Sequence, residues 1–150
     1  MNHFGYSEQL LELRQRVRRF VEAECIPRER PELAHDIDEL DRVLRELHAL
    51  AKQAGIYAPQ LPRELGGLGL GWRDRAAVLE EAGRSPLGPG ALNCAPPDQP
   101  NMINLLTLGT EAQKGQYLLP LAAGAIRSCF AMTEPAPGVK RCASCCTRAR

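Results

Sequence analysis

Apolar residues recur at every third or fourth position near the start of the chain, and this helical period constrains the fold more than any other feature. From Leu10 to Val21 the apolar positions share one face of a helix, while four arginines occupy the other faces. Ser7 stands where it could cap the segment, and Pro27 stops it because the residue before a proline is pushed out of helical geometry. The pattern predicts a first helix from about Glu8 to Cys25.

A second run with the same period extends from Ile37 to Ala54. Asp36 and Asp38 favour the positive end of a helix dipole at its beginning, and Gly55 supplies a stop at its end. This run predicts the second helix.

Three shorter segments also have helical character. They extend from Arg73 to Gly83, from Asn101 to Leu108, and from a capping-box sequence at Thr110 to about Leu119, with a short helical turn near Ala91. Residues 128–132 alternate weakly and could begin a strand. We therefore expect an all-α fold of about five helices, with the start of a β segment near the C-terminus.

The chain changes character after Gly138. All 18 acidic residues lie at or before Glu134, whereas residues 139–150 hold four basic residues and no acid. The first 138 residues therefore carry 15 basic and 18 acidic side chains, a net charge of −3, although the whole chain has a charge of +1. A body with an acidic balance argues against a nucleic-acid partner.

The length of 150 residues suits about one domain. No apolar run approaches the roughly 20 residues that a membrane-spanning helix needs, and residues 1–12 lack the apolar stretch of a secretory signal. The six cysteines do not form the paired framework of a small secreted protein. These observations predict a cytoplasmic protein without a membrane span.

Single motifs predict little chemistry. The glycine-rich loop at residues 66–71 lacks the Lys-Ser/Thr of a phosphate-binding loop and follows a proline-rich stretch, so a structural turn that brings two helices close is expected there. His48 lies next to Leu47 on the second helix and is expected to be a partly exposed histidine without a metal partner. Glu80 and Glu81 are adjacent on a helix and point in different directions, which argues against a shared acid/base pair.

The basic tail contains Cys142, Cys145 and Cys146, whose spacing resembles that of a redox or metal motif. A zinc site would need a fourth ligand, and the sequence has no second cysteine pair. No metal site is predicted, and a small thiol or metal protein remains a third function class.

The segment Cys129-Phe130-Ala131-Met132-Thr133-Glu134-Pro135 combines an apolar edge, a hydroxyl group and a proline that ends the run. Phe130 and Met132 could pack on an aromatic ring while Thr133 hydrogen-bonds to its polar rim. From the residues alone, flavin packing and an ordinary short strand edge both remain open.

An ordered series of motifs resembles the acyl-CoA dehydrogenase family over most of residues 8–138. The series begins with AKQAGIYAP, LPRELGGLGLG and VLEEAGRSPLGP, and continues with a GT-E-x-Q-K step, a Leu-Pro-Leu step and the MTEP motif at the family spacing. The stretch NCAPPDQPNM is most similar to the subgroup of family members 10 and 11.

The resemblance implies a flavoprotein that binds FAD and oxidises an acyl-CoA thioester to its trans-2-enoyl form. Phe130, Ala131, Met132 and Thr133 would then form the cofactor-binding, flavin-lining segment, and the second and third helices with residues 84–102 would wall the acyl-chain tunnel. The family also implies a homo-oligomer at full length. The domains expected are an N-terminal helical domain at residues 1–127, the start of the middle β-domain at 128–138 and an unrelated tail at 139–150.

The sequence departs from the family after the MTEP motif. Ala136-Pro137-Gly138 stands where the family usually continues with a small residue, Ser and Asp, and the family's catalytic glutamate has no counterpart here. No catalytic residue is therefore assigned. The chain is expected to be an incomplete, inactive fragment truncated or frameshifted after MTEP, and the alternative is a non-catalytic helical binding or interaction module.

Overall fold

The computed structural model describes residues 5–130, and every regular element within that range is helical. The chain divides into two compact units, Met1–Ala95 and Pro96–Arg150. The all-α expectation is confirmed.

Helix α1 (Glu8–Phe20) opens the first unit, and the Ser7 hydroxyl caps it by accepting a hydrogen bond from the backbone N–H of Leu10 at 3.2 Å. The helix continues without a break into a π-helical turn at Val21–Cys25 and a 3-10 turn at Ile26–Arg28. The predicted first helix is confirmed, with its last five residues wound more loosely than an α-helix.

Helix α2 (Ile37–Gln53) follows a 3-10 turn at Pro31–Ala34. The Asp36 carboxylate accepts a hydrogen bond from the backbone N–H of Glu39 at 3.0 Å and caps the helix. Its buried face consists of the apolar positions of the sequence pattern, among them Leu47 and Ala51, which are fully buried.

The glycine-rich loop is a tight turn around a 3-10 segment at Arg63–Leu65. The backbone N–H of Gly67 donates to the Pro62 carbonyl, and a Cβ at Gly67 would overlap the carbonyl oxygens of Ala58 and Leu61. The structural turn expected here is confirmed, and it leads into α3 (Trp72–Ala82) and the short α4 (Gly88–Ala91).

Helix α1 packs against α3, and α2 packs against α4. The Arg14 guanidinium of α1 reaches α3, where one of its nitrogens lies 3.0 Å from a Glu80 carboxylate oxygen and 2.7 Å from a Glu81 oxygen. The two glutamates diverge along the helix as expected, and one arginine contacts both of them.

His48 is buried, so the expectation of a partly exposed histidine is wrong. Its Nε2 lies 2.9 Å from the Gly90 carbonyl oxygen, and its ring stands edge-on to the Tyr57 ring at 5.2 Å. The helical pattern indicated which face His48 occupies, but the contact with α4 that buries it lies 42 residues further along the chain.

The second unit contains α5 (Asp98–Leu108) and a helix in three parts. A capping box between Thr110 and Gln113 starts α6 (Glu111–Gln113), which runs through a π-helical turn at Lys114–Leu118 into α7 (Leu119–Ala122).

Five substantial helices thus match the five predicted, with α4 at the predicted short turn. Residues 128–130, the start of the expected β segment, have no regular structure. The remainder of that segment and the tail at 139–150 lie outside the described residues, so the β-domain boundary stays a prediction. No helix in residues 5–130 is long and apolar enough to cross a membrane.

Candidate functional site

A groove of about 650 Å³ lies within the second unit, between α5 and the helix that ends in α7. Its surface is largely apolar, and amide, hydroxyl and guanidinium groups also line it. The lining residues are Asn101, Asn104, Leu105, Leu108, Gly109, Gln113, Tyr117, Leu121, Ile126, Arg127 and Ser128.

The apolar part of the groove is accessible to solvent. Leu108 is 82% exposed and Tyr117 is 46% exposed, although both are large hydrophobic side chains. Exposed apolar surface arranged around a concavity is typical of a binding site rather than of a folding core.

One end of the groove is organised by a buried carboxylate, that of Asp98 in the first turn of α5. One Asp98 oxygen accepts hydrogen bonds from both the backbone N–H and the hydroxyl of Ser128, each at 2.7 Å. The other oxygen accepts a hydrogen bond from Arg127 Nε at 2.9 Å. Three donors on one buried carboxylate form a set of charge-assisted bonds, which are stronger than bonds between neutral groups.

Asn101, one turn further along α5, holds the same segment from a second point. Its side-chain nitrogen donates to the Ser128 hydroxyl at 2.9 Å and to the Cys129 carbonyl at 3.4 Å. Asp98 and Asn101 therefore fix the chain at three consecutive residues, 127 to 129. We call these five residues, Asp98, Asn101, Arg127, Ser128 and Cys129, the α5 clamp.

The groove lining contains no carboxylate and no histidine among the residues that the structure describes. Asp98, the acid nearest to this lining in the clamp, is 7% exposed and engaged by three donors. Both oxygens of Asp98 thus hold neighbouring groups of the clamp, and Asp98 is not among the residues that line the groove.

Phe130 directly follows the clamp, and its ring is 42% exposed. The family resemblance implies that it contacts a flavin together with Ala131, Met132 and Thr133, which lie outside the described residues. An accessible aromatic ring at the end of a fixed backbone segment fits one face of a planar ring system.

Arg127 is the only cation that lines the groove in the described part of the chain, and it is paired with Asp98. The groove therefore offers no unpaired cation for the phosphates of FAD.

Within residues 5–130, no three His, Cys, Asp or Glu side chains lie together in a way that could hold a metal ion.

Two buried thiols have raised pKa values. Burial raises the pKa of the Cys94 thiol from its ordinary value of 9.0 to about 12, although the charge of Arg75 opposes this shift. Burial also raises the pKa of the Cys25 thiol to about 12. Both thiols are therefore protonated and unreactive at neutral pH. Cys142, Cys145 and Cys146 lie outside the described residues.

The sequence pointed to only part of this site. Of the segments expected to wall an acyl tunnel, residues 84–102 contribute Asn101 to the groove, and α2 and α3 belong to the first unit. Sequence reasoning missed Leu105, Leu108 and Tyr117. The helical period shows that apolar residues share one face of a helix, but it does not show whether that face packs in the core or lines a groove. The role of Asp98 was also missed, since its partners lie 29 and 30 residues away.

Comparison with known proteins gives a consistent result. Residues 7–125 match the family described as Acyl-CoA dehydrogenase, N-terminal domain. Acyl-CoA dehydrogenase family member 10 of Mus musculus is 37% identical over 141 residues, which cover 87% of this chain and 13% of that protein. Probable acyl-CoA dehydrogenase FadE2 of Mycobacterium tuberculosis is 44% identical over 95 residues, covering 63% of this chain and 23% of its own length.

A solved structure from Mycobacterium abscessus, described as an acyl-CoA dehydrogenase, superimposes with a TM-score of 0.76 at 39% identity. The match covers 89% of this chain and 36% of that one. The chain thus spans a quarter or less of these curated relatives and about a third of the solved structure. A family match over more than half of the chain, together with this fold, shows that the chain belongs to the acyl-CoA dehydrogenase family.

Proposed function

We propose that this chain provides the acyl-chain groove and the flavin-facing segment for FAD-dependent α,β-dehydrogenation of an acyl-CoA thioester. The observation that carries the proposal is the apolar groove of the second unit, which is lined in part by Asn101, Arg127 and Ser128 of the α5 clamp. The exposed Phe130 follows Ser128 by two residues along the chain. A fatty acyl chain and a flavin must lie next to each other in this reaction, and α5 both lines the groove and bonds to the residues that directly precede Phe130.

In this chemistry a base removes the α-proton of the acyl group while a hydride leaves the β-carbon for the flavin. The residues of this chain would bind and orient. Leu105, Leu108, Tyr117 and Leu121 would surround the methylene groups and exclude water, at about 0.8 kcal/mol for each CH₂ removed from water. Phe130 and the three residues after it would face the flavin ring.

We further propose that the 150-residue chain does not complete the reaction by itself. The groove has no available base in the described residues, and the family resemblance assigns no catalytic residue to this sequence. Binding of an acyl-CoA without turnover is therefore the expected behaviour.

The experiment is a calorimetric titration of the purified chain with acyl-CoA thioesters of increasing chain length, followed by an oxidation assay with added FAD and an electron acceptor. We expect the affinity to rise with the number of methylene groups and no oxidation to occur. Leu108→Asn should weaken binding by about tenfold because it places an amide on the groove wall. Leu119→Asn is the matched control, since Leu119 is an exposed leucine of the same unit, 52% exposed, that does not line the groove.

Affinity that is independent of acyl length, or equal effects of the two substitutions, would contradict an acyl-chain groove. Stoichiometric FAD on the purified chain together with acyl-CoA oxidation would contradict the second proposal. The exposed Leu108 and Leu119 also favour a helical interaction module. That alternative would be supported if acyl-CoA did not bind and both substitutions raised solubility.

A further inference from the structure

The α5 clamp connects two parts of the chain whose roles differ. Asp98 and Asn101 belong to the first turn and a half of α5, whereas their partners immediately precede Phe130. Asn101, Arg127 and Ser128 also line the groove, so the clamp forms one end of its wall.

The bonds of the clamp act on the backbone as well as on side chains. Asp98 accepts the N–H of Ser128, and Asn101 donates to the carbonyl of Cys129. A backbone held through the N–H of one residue and the carbonyl of the next has little freedom left, and the position of the following residue is set by these bonds. No regular secondary structure supports residues 126–130, so these bonds are a main source of order there.

We infer that Asp98 and Asn101 are positioning residues, which fix the Arg127 side chain and the backbone at Ser128 and Cys129 and thereby present Phe130 to the flavin. The inference rests on the proposed function, because it names what sets the geometry of the flavin-facing segment. Neither residue touches the reacting atoms.

The first test measures backbone order in the full 150-residue chain. In Asp98→Asn the amide keeps only one acceptor oxygen and turns N–H groups toward donors, so the three bonds cannot all persist. Hydrogen exchange of the Ser128 amide should accelerate by about 10- to 100-fold, and trypsin should cut the Arg127–Ser128 bond correspondingly faster. Glu111→Gln is the matched control, since Glu111 is an acid in the first turn of another helix of the same unit and contacts Lys114 rather than the clamp.

A pair of variants at Ser128 keeps the inference testable if Asp98→Asn fails to fold. Ser128→Ala removes the hydroxyl that donates to Asp98 and accepts from Asn101. Ser128→Thr keeps the hydroxyl. The alanine variant should show faster exchange at the amide of residue 128, which donates to Asp98, and the threonine variant should restore slow exchange.

The second test measures flavin binding by the change in flavin fluorescence and visible absorbance when FAD is added. If the wild-type chain binds FAD, Asp98→Asn should weaken binding by about tenfold and remove the spectral shift, while Glu111→Gln should change neither. Loss of the spectral shift at an unchanged unfolding temperature is the signature of positioning rather than of general destabilisation.

The outcomes separate this inference from the proposed function. Unchanged Ser128 exchange in Asp98→Asn would overturn the inference whether or not flavin binds. Faster exchange with unaltered FAD binding would show that the clamp does not serve the flavin, and would overturn it too. A wild-type chain with slow Ser128 exchange but no affinity for FAD or acyl-CoA would instead overturn the proposed function and, with it, the flavin-directed role of the clamp.

Discussion

The two units of the chain distribute their apolar surface differently. Across residues 5–95 only three large hydrophobic side chains are exposed (Ile26, Ile37 and Trp72), whereas the much shorter range 96–130 exposes four (Leu108, Tyr117, Leu119 and Phe130). In the first unit the buried faces of α1 and α2 are those that the helical period indicates, with Val17 and Leu47 fully buried. In the second unit two of the exposed side chains, Leu108 and Tyr117, line the groove instead.

The polar interactions differ in the same way. The first unit carries ion pairs at its surface, such as that between Arg42 and Glu39, where both side chains remain partly exposed. The second unit buries a carboxylate and uses it to fix an irregular segment. The first unit therefore buries the apolar faces of its helices, whereas the second leaves apolar side chains accessible around a groove.

The largest change in the free energy of unfolding is expected for a substitution in the core of the first unit. Leu47→Ala removes a fully buried side chain from α2 and should lower the free energy of unfolding by about 2–5 kcal/mol, through lost burial and the cavity left behind. Leu108→Ala, on the 82% exposed groove residue, should change it by less than about 0.5 kcal/mol. Urea denaturation followed by circular dichroism measures both, and similar losses would contradict the division into core and groove.

Alanine substitutions at two glycines, one in each unit, are expected to change the free energy of unfolding by smaller amounts and in opposite directions. Gly67→Ala places a methyl group against the carbonyls of Ala58 and Leu61 and should cost about 1–3 kcal/mol. Gly115→Ala lies in a helical turn with nothing within 4 Å of the added carbon, and should stabilise by up to about 1 kcal/mol. Thermal unfolding of both variants checks the prediction, which fails if the two shifts have the same sign.

The smallest effect concerns the thiols and the dependence of stability on pH. In a background with Cys142, Cys145 and Cys146 replaced by serine, a thiol reagent should modify the partly exposed Cys129 first and leave the buried Cys25 and Cys94 unmodified until the chain unfolds.

The same raised pKa values give a sign for the pH dependence. Above pH 9 the unfolded chain loses thiol protons that the folded chain keeps up to about pH 12, so the unfolded state is favoured and stability should fall as the pH rises through this window. Replacing Cys94 by alanine should make the decline shallower. Unfolding curves at pH 8 and pH 10 provide the measurement, and an equally steep decline in the variant would refute the assignment.

Local sequence signals predicted the helices well because period, caps and stops act within a few residues. The capping box at Thr110 and the stop at Gly55 are examples. The sequence pattern predicts that α5 begins at Asn101, because the prolines at 96, 97 and 100 indicate an irregular chain. The helix begins three residues earlier, at Asp98, since proline is tolerated in the first turn of a helix, where its missing N–H is not needed.

The groove and the clamp could not be predicted in this way. Asp98 looks like an ordinary acid at a helix start, and Ser128 like a strand residue, until the fold brings them within 2.7 Å. Burial of His48 by α4 is a second case in which a contact between distant positions determines what a residue does.

The Arg14 ion pairs and the α5 clamp differ in how many carboxylates accept their hydrogen bonds, and this number determines how well each tolerates a mutation. Arg14 of α1 ends on two carboxylates of α3, so that loss of either Glu80 or Glu81 leaves a partner in place, and the connection has built-in redundancy. In the segment before Phe130, three donors converge on the one carboxylate of Asp98, while Asn101 adds two hydrogen bonds from the next turn of α5. A single substitution at Glu80 or Glu81 therefore removes one ion pair and leaves the other, whereas a single substitution at Asp98 removes three bonds at once and leaves only those of Asn101.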